Sequence, residues 1–229
     1  MQLVLRTVWY YEGMIIITGA SDGLGLELAK IYHQSGKKVI NVSRRASTFA
    51  DVNVQTDLLD ESQITKAAAE ILAIDEPIEV LVNCAGVMSL EPLNAITGKE
   101  VDRTLGVNVR AAMLLVAQLA DRLQQDHTDI INVASTVGLK AYADQAVYGA
   151  SKWAMRGFSQ NLQLELKKTN RVVSFCVGGF NSDIAKKVTG KDIPDPENWM
   201  NPTDIAAFIQ QITNLPKNME VTEIIINRK

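Results

Sequence analysis

Short apolar runs and longer amphipathic stretches alternate along this chain. Residues 14–17 are Met-Ile-Ile-Ile, apolar on both faces, which is typical of a buried parallel strand. Residues 23–34 place Leu24, Leu28 and Ile31 on one stripe, which predicts a helix covering that strand. Because the alternation continues to the end of the chain, it indicates a parallel sheet with helices packed on it.

The same pattern predicts the remaining elements. Further strands are predicted at residues 38–42, 52–55, 79–82, 129–133, 171–177 and 221–227, and further helices at 61–73, 99–125, 147–168 and 204–213. Only residues 44–51 separate the second and third strands, whereas a parallel crossover usually needs at least ~10 residues. We therefore expect the crossover helix to be lost there or reduced to a turn. The prediction is a single doubly wound (Rossmann-type) α/β domain over residues 14–229, with a parallel seven-stranded sheet and helices on both faces.

Composition narrows the function classes. The chain has 229 residues, 47% of them apolar, which is enough to bury a core. Its net charge of −3 argues against nucleic acid and anionic membranes as partners. Two cysteines and two histidines are too few for a disulfide framework or a metal cluster, so we expect no metal. The N-terminus fits a signal peptide poorly and no apolar run approaches a membrane span, so the expected location is cytoplasmic.

A glycine-rich turn follows the first strand, with the sequence Thr-Gly-Ala-Ser-Asp-Gly-Leu-Gly at residues 18–25. Glycines let backbone N–H groups approach a pyrophosphate, and the helix N-terminus adds partial positive charge. Glycines in a turn can also simply permit positive φ angles. At the first strand-to-helix junction the cofactor interpretation is favoured.

The end of the second strand bears on the choice of cofactor. An NAD site usually has a carboxylate there for the ribose 2′-hydroxyl, whereas this chain has Ser43-Arg44-Arg45. A guanidinium can pair with a 2′-phosphate, so we favour NADP over NAD and expect Arg44→Ala to weaken NADPH much more than NADH. The alternative is a solvated loop, and Asp22 counts against NADP because its charge would repel a phosphate.

Candidate reacting groups cluster on the fifth strand and the helices around it. Tyr148 and Lys152 are four residues apart, hence on one helix face, and the lysine is expected to lower the phenol pKa. Such a phenol can donate or accept a proton. Ser135 follows the fifth strand and could bind a carbonyl or simply cap a turn. Asn108 lies in an apolar helix, where its amide could serve catalysis or only satisfy backbone groups.

Together these motifs resemble the short-chain dehydrogenases/reductases, over nearly everything from residue 14 to residue 227. The resemblance implies that Tyr148 is the general acid/base, Lys152 tunes it and holds the ribose, Ser135 polarises the carbonyl, and Asn108 positions a water. It implies hydride transfer between NADP(H) and a carbonyl or secondary alcohol. The cofactor-binding residues expected from the motifs and the resemblance are Gly19, Ser21, Asp22, Gly23, Leu24, Gly25, Ser43, Arg44, Asp57, Leu58, Asn83, Ala85, Gly86, Tyr148, Lys152, Gly179 and Ser182.

Departures from the family pattern leave some expectations open. The pair Gly178-Gly179 stands where the family usually has Pro-Gly, and Ser182 would replace a threonine. Residues 180–201 would form a substrate lid, and residues 1–13 a dispensable extension. The resemblance also implies a homodimer or homotetramer through the two long helices. The alternative function is a protein that senses NADP(H) without turnover.

Overall fold

A seven-stranded, all-parallel sheet forms the centre of the protein, as the pattern predicts. The computed structural model describes residues 13–229. The strands are β1 (Met14–Thr18), β2 (Lys38–Ser43), β3 (Val52–Gln55), β4 (Ile78–Asn83), β5 (Asp129–Val133), β6 (Val172–Val177) and β7 (Glu223–Ile226). Their order in the sheet is β3-β2-β1-β4-β5-β6-β7, so the strand order reverses between β1 and β4. Such a reversal opens a crevice at the carboxyl ends of the strands, where α/β sheets bind ligands.

The two faces of the sheet are buried against different helices. The helices are α1 (Gly23–Gln34), α2 (Glu61–Leu72), α3 (Gly98–Leu105), α4 (Ala111–Gln125), α5 (Ala146–Glu165), α6 (Ile184–Thr189) and α7 (Pro202–Thr213). Met14 and Ile16 pack into the cluster with α2 and α4, while Ile15 and Ile17 pack into the cluster with α1 and α7. Because successive side chains of a strand point to opposite faces, β1 supplies both cores and must be apolar throughout.

The helix predicted over residues 99–125 is interrupted. Its N-terminal part is α3 and its C-terminal part is α4, and a π-helical turn, Gly106–Arg110, joins them. Asn108 lies inside this turn. Single π turns often occur at functional sites, because the extra residue rotates side chains relative to the rest of the helix. Apolar periodicity continues through the turn, so the sequence pattern did not reveal it.

The short link between β2 and β3 has no helix, as predicted. Side chains satisfy backbone groups in its place. The Asn41 amide donates to the carbonyl of Arg45 (2.9 Å), and the Val39 N–H donates to the carboxylate of Asp51 (2.8 Å). Asn53 Oδ1 accepts from the N–H of Ser47 at 2.8 Å. The link therefore folds as a polar turn held by its neighbours.

The described chain begins at Gly13, one residue before β1. Apart from Gly13, the extension predicted at residues 1–13 lies outside the described residues, and its dispensability stays a prediction. Within residues 13–229, no helix combines the length and the apolar character needed to cross a membrane. The sequence pattern did not predict α6, a six-residue helix that ends at Gly190 with φ +70°.

Candidate active site

The glycine-rich turn between β1 and α1 has the backbone of an anion cradle. Gly19 and Gly23 have φ angles of +76° and +52°, which other residues rarely adopt. A Cβ on Gly23 would meet no atom within 4 Å, whereas a Cβ on Gly25 would lie 2.3 Å from the carbonyl oxygen of Gly19. Gly25 therefore permits close packing of the helix on the turn. The open space at Gly23, beside the first N–H groups of α1, fits a phosphate group.

Asp22 is held at this turn by cations. Its Oδ1 accepts from the N–H of Gly23 at 2.8 Å and caps α1. Its Oδ2 pairs with Arg45 at 2.9 Å and also with Lys187 of α6. Burial opposes ionisation of Asp22, but the hydrogen bonds from Lys187 and Arg45 outweigh it, so the pKa lies below its ordinary value. The negative charge that argued against NADP is thus balanced by two cations.

A threonine hydroxyl fixes the ends of β1 and β4 together. Thr18 Oγ1 accepts from the backbone N–H groups of Cys84 and Ala85, both at 3.0 Å. A Cβ on Gly19 would lie 3.0 Å from Ala85 Cα, so the two turns touch. Asn83 donates to Asn132 Oδ1 at 2.8 Å, while its own Oδ1 is buried without a partner among the described residues. An orphaned acceptor at this edge is consistent with a cofactor donor beside it.

The residues expected around the adenosine lie along the same edge of the sheet. The hydroxyl of Ser43 reaches Ser21 Oγ at 3.3 Å and so connects β2 to the glycine-rich turn. Asp57 accepts from the N–H of Leu59 at 3.1 Å, and Leu58 is buried in the core. Arg44 is exposed, and its side chain forms no hydrogen bond or ion pair with the described residues. Arg44 is therefore available for a ligand, while the guanidinium tied to the turn belongs to Arg45.

The reacting groups expected on α5 lie next to the turn after β5. Tyr148 is half-buried and Lys152 is buried. Lys152 Nζ donates to the carbonyl of Val133 at 3.0 Å and lies 5.8 Å from the centroid of the Tyr148 ring. Ser135 Oγ accepts from the N–H of Val137 at 3.2 Å and so caps a short turn, which is one of the two roles expected from the sequence. Its hydroxyl also interacts with the phenol of Tyr148.

The pKa of the Tyr148 phenol is raised, whereas the sequence predicted a lowered one. Burial raises the pKa of Tyr148, and the hydrogen bond from Ser135 only partly opposes this effect. Burial lowers the pKa of Lys152 to about 8, while Cys84 and Cys176 act in the opposite direction. The sequence prediction of a lowered phenol pKa is therefore wrong, because desolvation by burial dominates at Tyr148.

Asn108 is bound on both sides by protein groups. Its Oδ1 accepts from the N–H of Val87 at 2.7 Å, and its Nδ2 donates to the carbonyl of Val87 and to Ser151 Oγ, both at 2.9 Å. Ser151 in turn donates to the carbonyl of Tyr148 at 2.6 Å. A Cβ on Gly86 would lie 3.5 Å from Asn108 Oδ1 and 3.7 Å from Lys152 Nζ. A continuous path of contacts thus connects Asn108, α5 and the turn after β4.

The segment after β6 closes over the same edge. A Cβ on Gly179 would lie 2.7 Å from the ring of Trp199, so any other residue here would displace the ring. The Trp199 indole donates to the carbonyl of Pro194 at 2.9 Å, and the guanidinium of Arg228 lies 4.6 Å from a Trp199 ring centroid. Ser182 is half-exposed beside this loop. The ion pair of Lys187 with Asp22 ties the segment to the glycine-rich turn.

Comparison with known proteins agrees with this architecture. The family model described as "short chain dehydrogenase" matches residues 13–192. The chain belongs to the short-chain dehydrogenase family. It is an oxidoreductase of this family, a short-chain dehydrogenase/reductase.

Individual relatives cover almost the whole chain. An uncharacterised oxidoreductase of Listeria monocytogenes is 27% identical, over 93% of this chain and 95% of its own. An alcohol dehydrogenase from the archaeon Thermococcus sibiricus, complexed with 5-hydroxy-NADP, has a TM-score of 0.85 and 20% identity, with coverage of 93% and 95%. A 4-hydroxyisoleucine dehydrogenase complexed with NADH and succinate has a TM-score of 0.80 and 24% identity, with coverage of 94% and 98%.

Several residues of this short-chain dehydrogenase site were missed from the sequence. Thr18 was included in the glycine-rich motif, but its bonds to the turn after β4 depend on strand pairing. Arg45 and Lys187 meet at Asp22 only through the fold. Ser151 had a local signal, because a hydroxyl three residues after Tyr148 lies on the same helix face.

Proposed function

We propose that this short-chain dehydrogenase is an NADP(H)-dependent oxidoreductase that interconverts a carbonyl and a secondary alcohol, with Tyr148 as general acid/base. The observation that carries the proposal is the contact path from Tyr148 through Ser151 and Asn108 to Gly86, next to a glycine cradle that fits a dinucleotide phosphate. The bound nicotinamide would supply the hydride. The protein would supply the proton and the orientation of the substrate.

Each polar group has a task in this proposal. Tyr148 gives its phenolic proton to the carbonyl oxygen during reduction, and the Ser135 hydroxyl orients that oxygen. Lys152 holds the ribose and supplies positive charge close to the phenol. Gly86 leaves the space between Asn108 Oδ1 and Lys152 Nζ free of a side chain, so a water there can donate to the Asn108 oxygen and accept from the Lys152 ammonium. Burial raises the pKa of Tyr148, which keeps the phenol protonated at neutral pH, the form that reduction requires.

The NADP preference is argued from this chain's own residues, because neighbours of the same fold bind either NADP-type or NADH cofactors. Arg44 is exposed directly after β2, and its side chain has no partner among the described residues. The Asp22 carboxylate is neutralised by Arg45 and Lys187, so it no longer opposes a 2′-phosphate nearby. The local charge favours the more negative cofactor.

The same proposal includes a homo-oligomer formed through α4 and α5. Trp153 and Leu164 on α5 are 50% and 74% exposed, and Met113 on α4 is also exposed. Large apolar side chains on neighbouring helices support an interface between copies. Light scattering on Trp153→Glu, compared with the unaltered protein, tests this: a monomer is expected from the variant, and an unchanged mass would contradict the interface.

The central test compares Tyr148 with a second tyrosine that is buried far from the site. Tyr148→Phe should lower kcat for carbonyl reduction by about 10²–10⁴-fold, the usual contribution of a general acid, with little change in NADPH binding. The control is Tyr32→Phe, because Tyr32 is buried on α1 and its hydroxyl bonds Thr213 at 2.9 Å. That variant should keep full activity. Equal activity of Tyr148→Phe and the unaltered protein would reject the assigned acid.

The cofactor preference has a separate test. Arg44→Ala should weaken NADPH binding by about 10–100-fold, because a charge-assisted hydrogen bond contributes about 1.5–3 kcal/mol. NADH binding should remain nearly unchanged. Arg44→Lys keeps the charge without the guanidinium fork and should lie between the two. Equal losses for NADPH and NADH, measured by fluorescence titration, would remove the argument for NADP. Tight NADPH binding without turnover of any carbonyl would favour a sensing role over an enzyme.

A further inference from the structure

The turn that precedes α5 combines backbone strain with an unpartnered polar atom. Asp144 has a φ angle of +58°, in the left-handed region that favours glycine. Its carbonyl accepts from the N–H of Glu91 at 2.9 Å, which fixes the turn to the loop after β4. Next to it, the side-chain oxygen Oε1 of Gln145 is buried and has no hydrogen-bond partner among the described residues. Strain of this kind persists only where the surrounding structure imposes it, so the turn holds Gln145 in a set position.

Gln145 lies close to the reacting phenol along the chain. It immediately precedes α5, and its carbonyl accepts from the N–H of Gly149 at 2.7 Å, so it belongs to the first helical turn. Tyr148 is three residues further on. Gln145 is the N-cap of α5 and Tyr148 is its third residue, and the side chains at these two positions of a helix are neighbours. Catalysis as proposed above makes no use of this amide.

A buried amide oxygen without a partner needs an explanation, since protein interiors satisfy almost all such acceptors. We propose that Gln145 is a substrate-binding residue, whose Oε1 accepts a hydrogen bond from a hydroxyl or ammonium group on the carbon next to the reacting carbon. An amide oxygen is an acceptor only, so the substrate must bring the donor. The substrate class is thus a 2-hydroxy or 2-amino ketone and the corresponding alcohol. This inference rests on the proposed function and adds the substrate class to it.

The reaction on such a substrate is balanced by the groups already named. In the reduction of 1-hydroxypropan-2-one, the carbonyl carbon receives a hydride from NADPH and the carbonyl oxygen receives the phenolic proton of Tyr148. The products are propane-1,2-diol and NADP⁺, and solvent returns a proton to the phenol. The neighbouring hydroxyl keeps its proton and donates it as a hydrogen bond to Gln145. A site that binds a substrate hydroxyl in this way discriminates strongly against the analogue that lacks it.

The test uses a matched pair of ketones with NADPH. The unaltered protein should have at least a tenfold higher kcat/KM for 1-hydroxypropan-2-one than for butan-2-one, in which a methyl group replaces the hydroxyl. Gln145→Met keeps the length of the side chain without the acceptor. It should lower kcat/KM for 1-hydroxypropan-2-one tenfold or more, while kcat/KM for butan-2-one stays within threefold of that of the unaltered protein. Gln145→Glu keeps an acceptor and should keep the preference. Equal kcat/KM values for the two ketones in the unaltered protein, or a preference that survives in Gln145→Met, would overturn the inference and leave the reductase function intact.

A binding measurement covers the case in which no ketone is turned over. With NADP⁺ present, calorimetry should show propane-1,2-diol binding at least tenfold tighter than butan-2-ol to the unaltered protein. Gln145→Met should bind the two alcohols equally. Absence of turnover with this binding difference would refute the proposed function alone. Equal affinities in the unaltered protein would refute the role of Gln145.

Discussion

Ser151→Ala is the substitution that most directly tests whether the buried network positions the reacting groups. Ser151 is fully buried on α5. Its hydroxyl donates to the carbonyl of Tyr148 at 2.6 Å and accepts from Asn108 Nδ2 at 2.9 Å. Alanine removes both bonds and leaves the helix otherwise unchanged, because alanine is the best helix former.

The cost can be worked out from the partners that remain. The Tyr148 carbonyl keeps the main-chain hydrogen bond of an α-helix, so it loses about 1 kcal/mol at most. Asn108 keeps its bonds to Val87, but one of its N–H groups is left buried without an acceptor, at a cost of about 1–3 kcal/mol. We expect the free energy of unfolding to fall by about 1–4 kcal/mol in total. A loosened Asn108 should also lower kcat/KM by about tenfold or more, since small misplacements of reacting groups are costly.

The assay pairs urea unfolding with steady-state kinetics, and Thr128→Val is the control. Thr128 is also fully buried, and its hydroxyl donates to the carbonyl of Ile78 at 2.7 Å. It precedes β5 and so lies at the amino edge of the sheet, opposite the site. Thr128→Val should lose about 1–2 kcal/mol of stability and keep its kcat/KM.

Two results would refute the reasoning. If Ser151→Ala loses stability as expected but keeps its kcat/KM within twofold, the network does not position Asn108 and Tyr148. If its stability is unchanged, the buried N–H of Asn108 has found another acceptor and the calculation of the cost is wrong.

Two more expectations concern the cradle and the buried lysine. Gly25→Ala forces a Cβ to 2.3 Å from the carbonyl oxygen of Gly19, so NADPH binding should weaken at least tenfold and the free energy of unfolding should fall by about 1–3 kcal/mol. The control is Gly157→Ala, on α5 with open space around it, which should raise the free energy of unfolding by about 0.5–1 kcal/mol. If both substitutions change the free energy of unfolding in the same direction, the packing argument is contradicted. Burial lowers the pKa of Lys152 to about 8, so between pH 8 and 10 the unfolded chain binds more protons than the folded protein. The free energy of unfolding should therefore rise with pH over this range, compared with that of Lys152→Met. A difference between the two proteins that does not change with pH would show that the ammonium is not desolvated.

The sequence alone was sufficient for the seven strands, for the helices that cover them and for the order of the candidate site residues along the chain, but not for α6 or the π-helical turn. The run at residues 14–17 is apolar on both faces because β1 feeds two cores, and its glycine-rich end follows from the need for positive φ at Gly19 and Gly23. Hydrophobic periodicity and the placement of turn glycines depend only on spacing within one segment, so the sequence of that segment is enough to predict them. The residues expected at strand ends lie together for the same reason, since parallel strands end at one edge.

The tertiary structure decided which groups touch and how each is charged. The pairing of β1 with β4 brings Thr18 to Cys84 and Ala85, and no local pattern encodes that contact. The direction of the pKa shifts at Tyr148 and Lys152 depends on how much protein surrounds them, so spacing on a helix predicted the shift at Tyr148 wrongly. The sequence thus determined which groups reach the edge of the sheet, because periodicity is local. Packing determined their environment, because burial and charge pairing join residues that are far apart in the chain.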